Sequence, residues 1–252
     1  MNGRPALTVL IPAYNEHEGL ATCVEAVRVQ LAAMSINFEF LIVDDGSSDG
    51  TGQIADRLAA DLPGLRVVHH AQNQGIGGAF RTGVANAGGE LLILIPADLG
   101  LVPTELPKYF EAAGAADIVV GVRSDVSDYS AFRRLVHYAN IRLLQLLFGV
   151  ALHEFQWISL YRLATLKNID VEYCASPFFF AEVLIKTRAL GARLVEVKIR
   201  YLPRRTGQAT GAHWRQIAGT LRDISLFWWR WLWLGPVTAS RRQVPALDPP
   251  RL

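Results

Sequence analysis

The chain alternates short β-branched apolar runs with longer amphipathic segments, and this alternation constrains its fold more than any other feature. Five runs predict strands, at Leu7–Pro12, Phe38–Asp44, Leu65–His69, Leu91–Pro96 and Ile118–Val122. Segments with helical periodicity, such as Gly19–Met34 and Thr51–Ala60, lie between them. Strands joined by such segments require right-handed crossovers. The sequence therefore predicts an α/β protein with a mostly parallel sheet and helices on both faces.

Composition places the chain among ordinary globular proteins. It has 252 residues, of which 51% are hydrophobic and 19% charged, which excludes an intrinsically disordered protein. Its two cysteines, Cys23 and Cys174, are too few for a disulfide framework. The first residues lack the basic region and long apolar core of a secretory signal, so a cytoplasmic location is predicted.

Charge and tryptophan are concentrated near the C-terminus. Residues 200–252 hold nine Lys and Arg against two Asp and Glu, and five of the six tryptophans. The overall net charge of +2 gives no argument for nucleic-acid binding. Aromatic and basic residues together are typical of a surface that meets lipid headgroups, so residues 221–237 predict peripheral membrane contact. A helix packed on the domain or on a second copy of the chain is the alternative.

The same region sets the predicted domain boundaries. Residues 1–210 predict one domain, residues 211–237 an aromatic and basic helix, and residues 238–252 a disordered tail. The apolar stretch Ile224–Val237 is shorter than the roughly 20 residues that span a bilayer, so no transmembrane helix is predicted.

Polar residues follow the predicted strands at the edge where ligands bind in parallel sheets. Pro12, Tyr14 and Glu16 follow the first strand, and Asp44 and Asp45 end the second. A tyrosine offers a flat surface for stacking, and carboxylates can accept hydrogen bonds from base N–H and ribose hydroxyl groups. An ordinary strand-to-helix turn with capping residues is the alternative interpretation of each segment.

The third and fourth strands are followed by a glycine-rich loop and a single acid. Residues 73–83 (NQGIGGAFRTG) open a helix whose amides can approach phosphate, but the spacing differs from the dinucleotide fingerprint. Asp98 follows the fourth strand and is interpreted as a turn residue, a metal ligand or both. His69 and His70 have no partners at metal-ligand spacing, so a structural role is predicted for both.

Six motifs in this order carry a resemblance to a known family. The chain resembles family 2 glycosyltransferases of the GT-A fold over about residues 7–210, and the motifs that carry the resemblance are PAYNE, VDDGSSDGT, NQGIGGAFRTG, LLILIPADLG, DIVVGVRS and EVKIRYLPRRTGQATG. Within this family the motifs resemble those of the dolichyl- and polyprenyl-phosphate mannosyl- and glucosyltransferases. The resemblance implies an inverting transfer of a sugar from a UDP- or GDP-sugar. The implied acceptor is a polyprenyl phosphate or a small molecule.

The resemblance also implies roles for individual residues. Those expected to bind the nucleotide sugar are Pro12, Tyr14, Glu16, Asp44, Asp45, Gly77, Arg81, Ala97 and Arg123. Asp98 would hold Mg²⁺ or Mn²⁺ on the diphosphate, because carboxylate oxygen suits these cations. Asp98, Glu182 and Arg204 are the residues expected to act in catalysis.

The sequence departs from the family pattern around the diphosphate and the acceptor. Pro96 replaces the first acid of the Asp-x-Asp motif, and Gly100 stands where the branch often has glutamine. Three hypotheses follow: a transferase that relies on Asp98 or on arginines for charge, one in which His153, Glu154 or Glu182 serves as base, and a non-catalytic nucleotide-binding protein.

Overall fold

Strands and helices alternate along most of the chain. The computed structural model describes residues 5–124, 129–156, 158–201, 214–236 and 238. The strands are β1 Leu7–Ala13, β2 Phe38–Asp44, β3 Leu65–His69, β4 Leu91–Leu94, β5 Ile118–Arg123, β6 Ser159–Arg162 and β7 Leu194–Ile199. The helices are α1 Leu20–Ala33, α2 Thr51–Asp61, α3 Gly75–Asn86, α4 Leu106–Ala113, α5 Ala131–Phe148, α6 Leu163–Leu166, α7 Phe178–Ala189 and α8 Trp214–Leu234.

The seven strands form one sheet in the order β3-β2-β1-β4-β6-β5-β7. β1 pairs in parallel with β2 on one side and β4 on the other, and β2 pairs in parallel with β3. β6 lies antiparallel between β4 and β5, and β7 is parallel to β5. The carboxyl ends of β1, β2 and β4 therefore meet at one edge of the sheet.

Both faces of the sheet are covered by helices. In β1 the side chain of Leu10 joins a core with α3, α5, α7 and α8, whereas Val9 and Ile11 join a second core with α1, α2 and α4. All three side chains are fully buried. A strand buried on both faces needs apolar residues at successive positions, which is why these strands are continuous apolar runs rather than alternating ones.

The predicted α/β architecture is confirmed, including the mostly parallel sheet with helices on both faces. The five predicted strands are present, and β2 and β3 have the predicted bounds. β4 ends at Leu94, two residues before its predicted end, because the chain turns at Pro96. The sheet is larger than predicted, since β6 and β7 were not among the predicted strands.

Helix α8 packs one face against the domain. Ile224, Phe227 and Trp231 are buried in the core beside α5 and α7, and the ring centroids of Phe227 and Phe148 lie 5.3 Å apart. On its outer face Leu226, Trp229, Leu232 and Trp233 are exposed, and so are several apolar residues of α5. No helix in the described part of the chain is long and apolar enough to cross a bilayer. The predicted boundary at residue 210 lies outside the described residues, as does the predicted disordered tail beyond Thr238.

Candidate active site

A cavity of about 450 Å³ opens at the carboxyl ends of the central strands, and we call it the strand-end cavity. The loops after β1 and β4 and the start of α3 form three of its walls, and residues 174–177 form the fourth. The predicted site residues that line it are Pro12, Tyr14, Glu16, Asp45 and Ala97. The structure thus brings together residues separated by more than 80 positions in the sequence.

Asp45 is held in place by a histidine. His70 Nδ1 donates to Asp45 Oδ1 at 2.6 Å, and the Gln74 amide donates to the same oxygen at 2.8 Å. The Thr82 hydroxyl completes the arrangement at His70 Nε2, 2.8 Å away. Both members of the pair are almost fully buried. A carboxylate with one oxygen fixed in this way presents its second oxygen in a defined direction.

The loop after β1 is tied to the loop after β2. The Glu16 amide donates to Thr51 Oγ1 at 2.8 Å, and the Ser48 amide donates to Asn15 Oδ1 at 2.9 Å. Asn15 has a positive φ of 55°, a conformation that asparagine adopts more readily than most residues. This geometry leaves Tyr14 half exposed at the cavity, where its ring is available for stacking.

Asp44 was predicted to bind nucleotide, but the structure places it in a different pocket. It accepts hydrogen bonds from the Ser47 amide and from His69 Nδ1, the latter at 2.9 Å. Burial raises the pKa of Asp44, but these hydrogen bonds outweigh that effect and hold its pKa below the usual value. Its surroundings, which include Gln53 and Asp56, belong to a separate polar pocket.

The glycine-rich loop approaches the segment after residue 173 very closely. A Cβ on Gly77 would lie 2.5 Å from the Cα of Cys174, so only glycine fits without a backbone shift. Gly75 and Ile76 line the strand-end cavity, whereas Gly77 packs behind it. Arg81 is exposed on α3, close enough to Cys174 that its charge partly opposes the effect of burial, which raises the pKa of that thiol.

A second cavity, of about 420 Å³, lies between α5, α7 and α8, and we call it the helix cavity. Its basic residues are Arg123, Arg133 and His137. The Arg133 guanidinium stacks 3.7 Å above the Tyr129 ring, and Arg123 lies 5.5 Å from the same ring. Most of the remaining lining is apolar and comes from α5, α7 and α8.

Glu154 also lines the helix cavity, opposite His137. Glu154 Oε1 accepts the amides of Phe155 and Gln156, so this buried carboxylate is fixed by the backbone. Burial lowers the pKa of His137; Glu154 partly opposes this effect, and the two arginines reinforce it. The ring is therefore neutral near pH 7 and can donate or accept a hydrogen bond.

The two cavities are adjacent, because Pro177 and Gln216 line both of them. Two ligands bound in these cavities would therefore meet beside the first turn of α8. Such an arrangement suits a transfer between a donor and an acceptor, which must bring two reacting atoms into contact.

Comparison with known proteins identifies the chain. A family model described as glycosyl transferase family 2 matches residues 8–170, more than half of the sequence. The chain belongs to glycosyl transferase family 2. This confirms the resemblance carried by the six motifs and makes the chain an enzyme of the glycosyltransferase class. The non-catalytic hypothesis is correspondingly disfavoured.

Two curated relatives of this family 2 glycosyltransferase match most of its length. The undecaprenyl-phosphate mannosyltransferase of Micrococcus luteus is 31% identical over 210 residues, which cover 79% of this chain and 85% of the relative. The polyprenol monophosphomannose synthase of Mycolicibacterium smegmatis is 32% identical over 211 residues, covering 79% of this chain and 78% of the relative.

Solved structures confirm the GT-A fold. Glucosyl-3-phosphoglycerate synthase from Mycobacterium tuberculosis, in complex with Mn²⁺, UDP and phosphoglyceric acid, has a TM-score of 0.66 at 17% identity, covering 90% of this chain and 78% of that chain. A mannosyltransferase from Pyrobaculum calidifontis, in complex with GDP-Man and Mn²⁺, has a TM-score of 0.63 at 18% identity, covering 89% of this chain and 65% of that chain.

In this family 2 glycosyltransferase, Asp98 follows two residues of the strand-end cavity but is not itself among the lining residues. Pro96 and Ala97 line the cavity, and the Leu99 amide donates to the Pro96 carbonyl at 2.9 Å. Leu99 has a positive φ of 49°, an uncommon conformation for leucine. Burial, followed by the charge of Asp98, raises the pKa of the neighbouring Cys23 thiol to about 12. The described residues contain no group of three potential metal-ligating side chains.

Glu182 was predicted to act in catalysis, but the structure buries it completely and away from both cavities. Its oxygens accept the amides of Glu172 and Tyr173, at 2.9 and 3.0 Å, and Lys186 Nζ lies 2.7 Å from Oε1. Lys186 in turn donates to Glu172, which pairs with Arg230 of α8. The geometry supports a structural position that links α7 to α8.

Glu182→Ala is therefore expected to lower the free energy of unfolding by about 3 kcal/mol, because Lys186 stays buried after losing a partner. Urea unfolding at pH 7 measures this change. Glu25→Ala is the matched control: Glu25 pairs with Arg28 on an exposed helix surface, where solvent screens the pair, so this variant should unfold like the wild type. A Glu182→Gln variant that kept wild-type stability but lost turnover would restore the predicted catalytic role.

Two further predicted residues, Arg123 and His153, do not line the strand-end cavity in the part of the chain that the structure describes. Arg123 lies in the helix cavity rather than in the strand-end cavity. Arg204 lies outside the described residues. His153, a candidate base, has a side chain that is 81% exposed; it pairs with Glu196 and lines neither cavity.

Sequence reasoning did not identify three residues of the site: His70, His137 and Gln216. For His70 a signal existed, because parallel pairing of β2 with β3 sets Asp44 beside His69 and so brings Asp45 close to His70. His137 and Gln216 lie on helices that reach the site only through tertiary packing. No local pattern marks them.

Proposed function

We propose that this glycosyltransferase moves a hexosyl group from a nucleoside diphosphate sugar in the strand-end cavity to a polyprenyl phosphate in the helix cavity. The adjacency of the two cavities at Pro177 and Gln216 carries the proposal. The names of the Micrococcus and Mycolicibacterium relatives support a polyprenyl-phosphate acceptor and a mannosyl donor.

The nucleoside half of the donor fits the groups around Asp45. Tyr14 offers a ring surface to the base, and the fixed carboxylate of Asp45 accepts from base N–H groups. The diphosphate would extend toward Ala97 and the glycine-rich loop. Arg81, exposed nearby on α3, adds positive charge at this side.

The acceptor phosphate fits the basic end of the helix cavity. Arg123 and Arg133 supply fixed charge, and guanidinium groups bind phosphate through paired hydrogen bonds. The apolar remainder of the cavity, with Leu143, Phe180 and Leu221, suits the first isoprene units.

The chemistry needs little from a protein base. A lipid phosphate is largely ionised at neutral pH, because its second pKa lies near 6, so an oxygen can attack the anomeric carbon directly. As that C–O bond forms on one face of the sugar, the bond to the diphosphate breaks on the other, which inverts the anomeric configuration. Arg123 and Arg133 orient the nucleophile, and the apolar walls exclude water.

Asp98 directly follows Ala97, which lines the strand-end cavity, and its carboxylate is of the ligand type that a divalent cation on the donor diphosphate would need. Mg²⁺ is usually held by one or two carboxylates plus substrate phosphates and water, so one carboxylate suffices when the diphosphate is bound. We propose that Asp98 serves as this ligand. When bound, the cation would stabilise the negative charge that develops on the leaving diphosphate.

Ligand-dependent thermal unfolding tests the donor half of the proposal. The full chain is heated with GDP, UDP, GDP-mannose or UDP-glucose, each with Mn²⁺ or with EDTA. The nucleotides of one base, either guanine or uracil, are expected to raise the unfolding midpoint. A ligand at 100 times its Kd stabilises the folded chain by about 2.7 kcal/mol. The stabilising sugar nucleotide is then incubated with undecaprenyl phosphate, and transfer is measured. If no nucleotide shifted the midpoint, the proposed function would be wrong.

We also propose that the outer face of α8 contacts a membrane surface. Leu226, Trp229, Leu232 and Trp233 are exposed there, and indole rings favour the interface between headgroups and acyl chains. The same helix lines the helix cavity with Ile217, Thr220 and Leu221. A lipid acceptor could thus enter the cavity from the bilayer without crossing water.

Flotation with phosphatidylglycerol vesicles tests the membrane contact. The wild-type chain is expected to float with the vesicles, and the Trp229→Ser/Trp233→Ser double variant is expected to remain in the dense fraction, since two interfacial anchors are lost. Val29→Ser, at an exposed position on α1, should float like the wild type. Equal flotation of all three proteins would contradict the role of α8.

A further inference from the structure

Gln216 is a partly buried residue whose side-chain oxygen lacks a partner within the part of the chain that the structure describes. It lies in the first turn of α8, and its Oε1 is inaccessible to solvent and receives no hydrogen bond. Buried carboxamides are nearly always hydrogen-bonded, because an unsatisfied group costs about 1–3 kcal/mol. Because the Gln216 side chain lines the cavity walls, a rotation of its carboxamide would let a bound ligand satisfy this oxygen.

The position of Gln216 indicates which part of a ligand it would meet. It lines both the strand-end cavity and the helix cavity, as Pro177 does. In the proposed reaction, on which this inference rests, the anomeric carbon must lie where donor and acceptor meet. The transferred sugar therefore occupies the space beside these two residues. Pro177 has an apolar side chain, so Gln216 is the one of the pair whose side chain can form hydrogen bonds.

We propose that the Gln216 carboxamide binds a hydroxyl group of the transferred sugar and helps to select that sugar. The carboxamide carries both an acceptor oxygen and an N–H₂ donor, which match the paired donor and acceptor character of sugar hydroxyls. A site built to hydrogen-bond a hydroxyl rejects analogues without it, because its own polar group then stays unpaired. Gln216 thus contributes to sugar selectivity while Asp45 recognises the base.

The proposal predicts that a substitution of Gln216 weakens binding of the sugar nucleotide but not of the nucleoside diphosphate. Gln216 is replaced by leucine, which has a similar size and no hydrogen-bonding groups, and Kd is measured by calorimetry for the nucleoside diphosphate and its sugar nucleotide. The Kd of the sugar nucleotide is expected to rise roughly 10-fold, and that of the diphosphate to change less than about 2-fold. Ser225→Ala, on the exposed side of α8, is the matched control and should change neither.

Stability gives an independent readout. Because Gln216→Leu removes an unsatisfied polar atom, its unliganded unfolding midpoint should equal or exceed that of the wild type. A large fall in the midpoint, or equal changes in both Kd values, would overturn the role of Gln216 alone. If the wild type bound neither the diphosphate nor the sugar nucleotide, the proposed function would fail and this inference with it.

Discussion

Asp45→Ala is expected to raise the Kd for the nucleotide by roughly 100-fold, the largest effect on binding of any single substitution in the strand-end cavity. Hydrogen bonds to a charged group contribute about 1.5–3 kcal/mol, and the variant loses them from a carboxylate that is already oriented. It also leaves His70 without the acceptor at 2.6 Å that fixes its ring. Calorimetric titration with GDP and UDP measures the change.

Two variants sharpen the Asp45 experiment. Asp56→Asn alters an exposed acid that bonds His69 at 3.0 Å outside the strand-end cavity, and it should bind nucleotide as the wild type does. Asp44→Ala tests the prediction made from the sequence. If Asp44→Ala lost binding while Asp45→Ala kept it, the base would have to bind in the polar pocket beside His69.

Asp98→Asn is expected to lower turnover by about 10²–10³-fold while the nucleotide still binds. The substitution keeps the size of the side chain but removes the charge proposed to hold the cation on the diphosphate. Because that cation acts on charge that develops in the transition state, kcat should fall more than affinity. Transfer to undecaprenyl phosphate under single-turnover conditions measures the effect.

The control for Asp98 is another partly buried acid on the sheet. Asp117 precedes β5 at the opposite edge from the strand-end cavity and faces Arg162 at 3.7 Å. Asp117→Asn should leave kcat unchanged. Full activity of Asp98→Asn would show that Asp98 has no role in the reaction. The negative charge of the leaving diphosphate would then have to be stabilised by arginines.

The parallel half of the fold could be predicted because it depends on local signals. β1 to β5 are apolar runs with turn residues at their ends, and crossover handedness then fixes the architecture. β6 has four residues, Ser159–Arg162, and its direction is set by its neighbours β4 and β5. Such a short strand has too little pattern to be distinguished from a loop. β6 is antiparallel to its neighbours, so its first residue lies at the edge where the parallel strands end. Glu154, which precedes β6 in the sequence, therefore lies near the site.

The candidate site was predictable where it depends on strand ends. Pro12 lies near the end of β1, Tyr14, Glu16, Asp45 and Ala97 follow parallel strands, and all five reach the strand-end cavity. Asp44 precedes Asp45 but lines a different pocket, because the side chains of successive residues of an extended chain alternate in direction. The helix cavity could not be predicted, since α5, α7 and α8 meet only after the chain has folded.

Helix α8 cannot be removed in order to obtain a freely soluble enzyme. Its inner face supplies Phe227 and Trp231 to the core, so a chain shortened before Trp214 would expose the rings of Phe148 and Phe178 to water. The proposed membrane contact and the packing of the core thus use opposite sides of one helix. A test of the proposed membrane contact therefore needs polar substitutions on the outer side alone, because deletion of the helix would also remove part of the core.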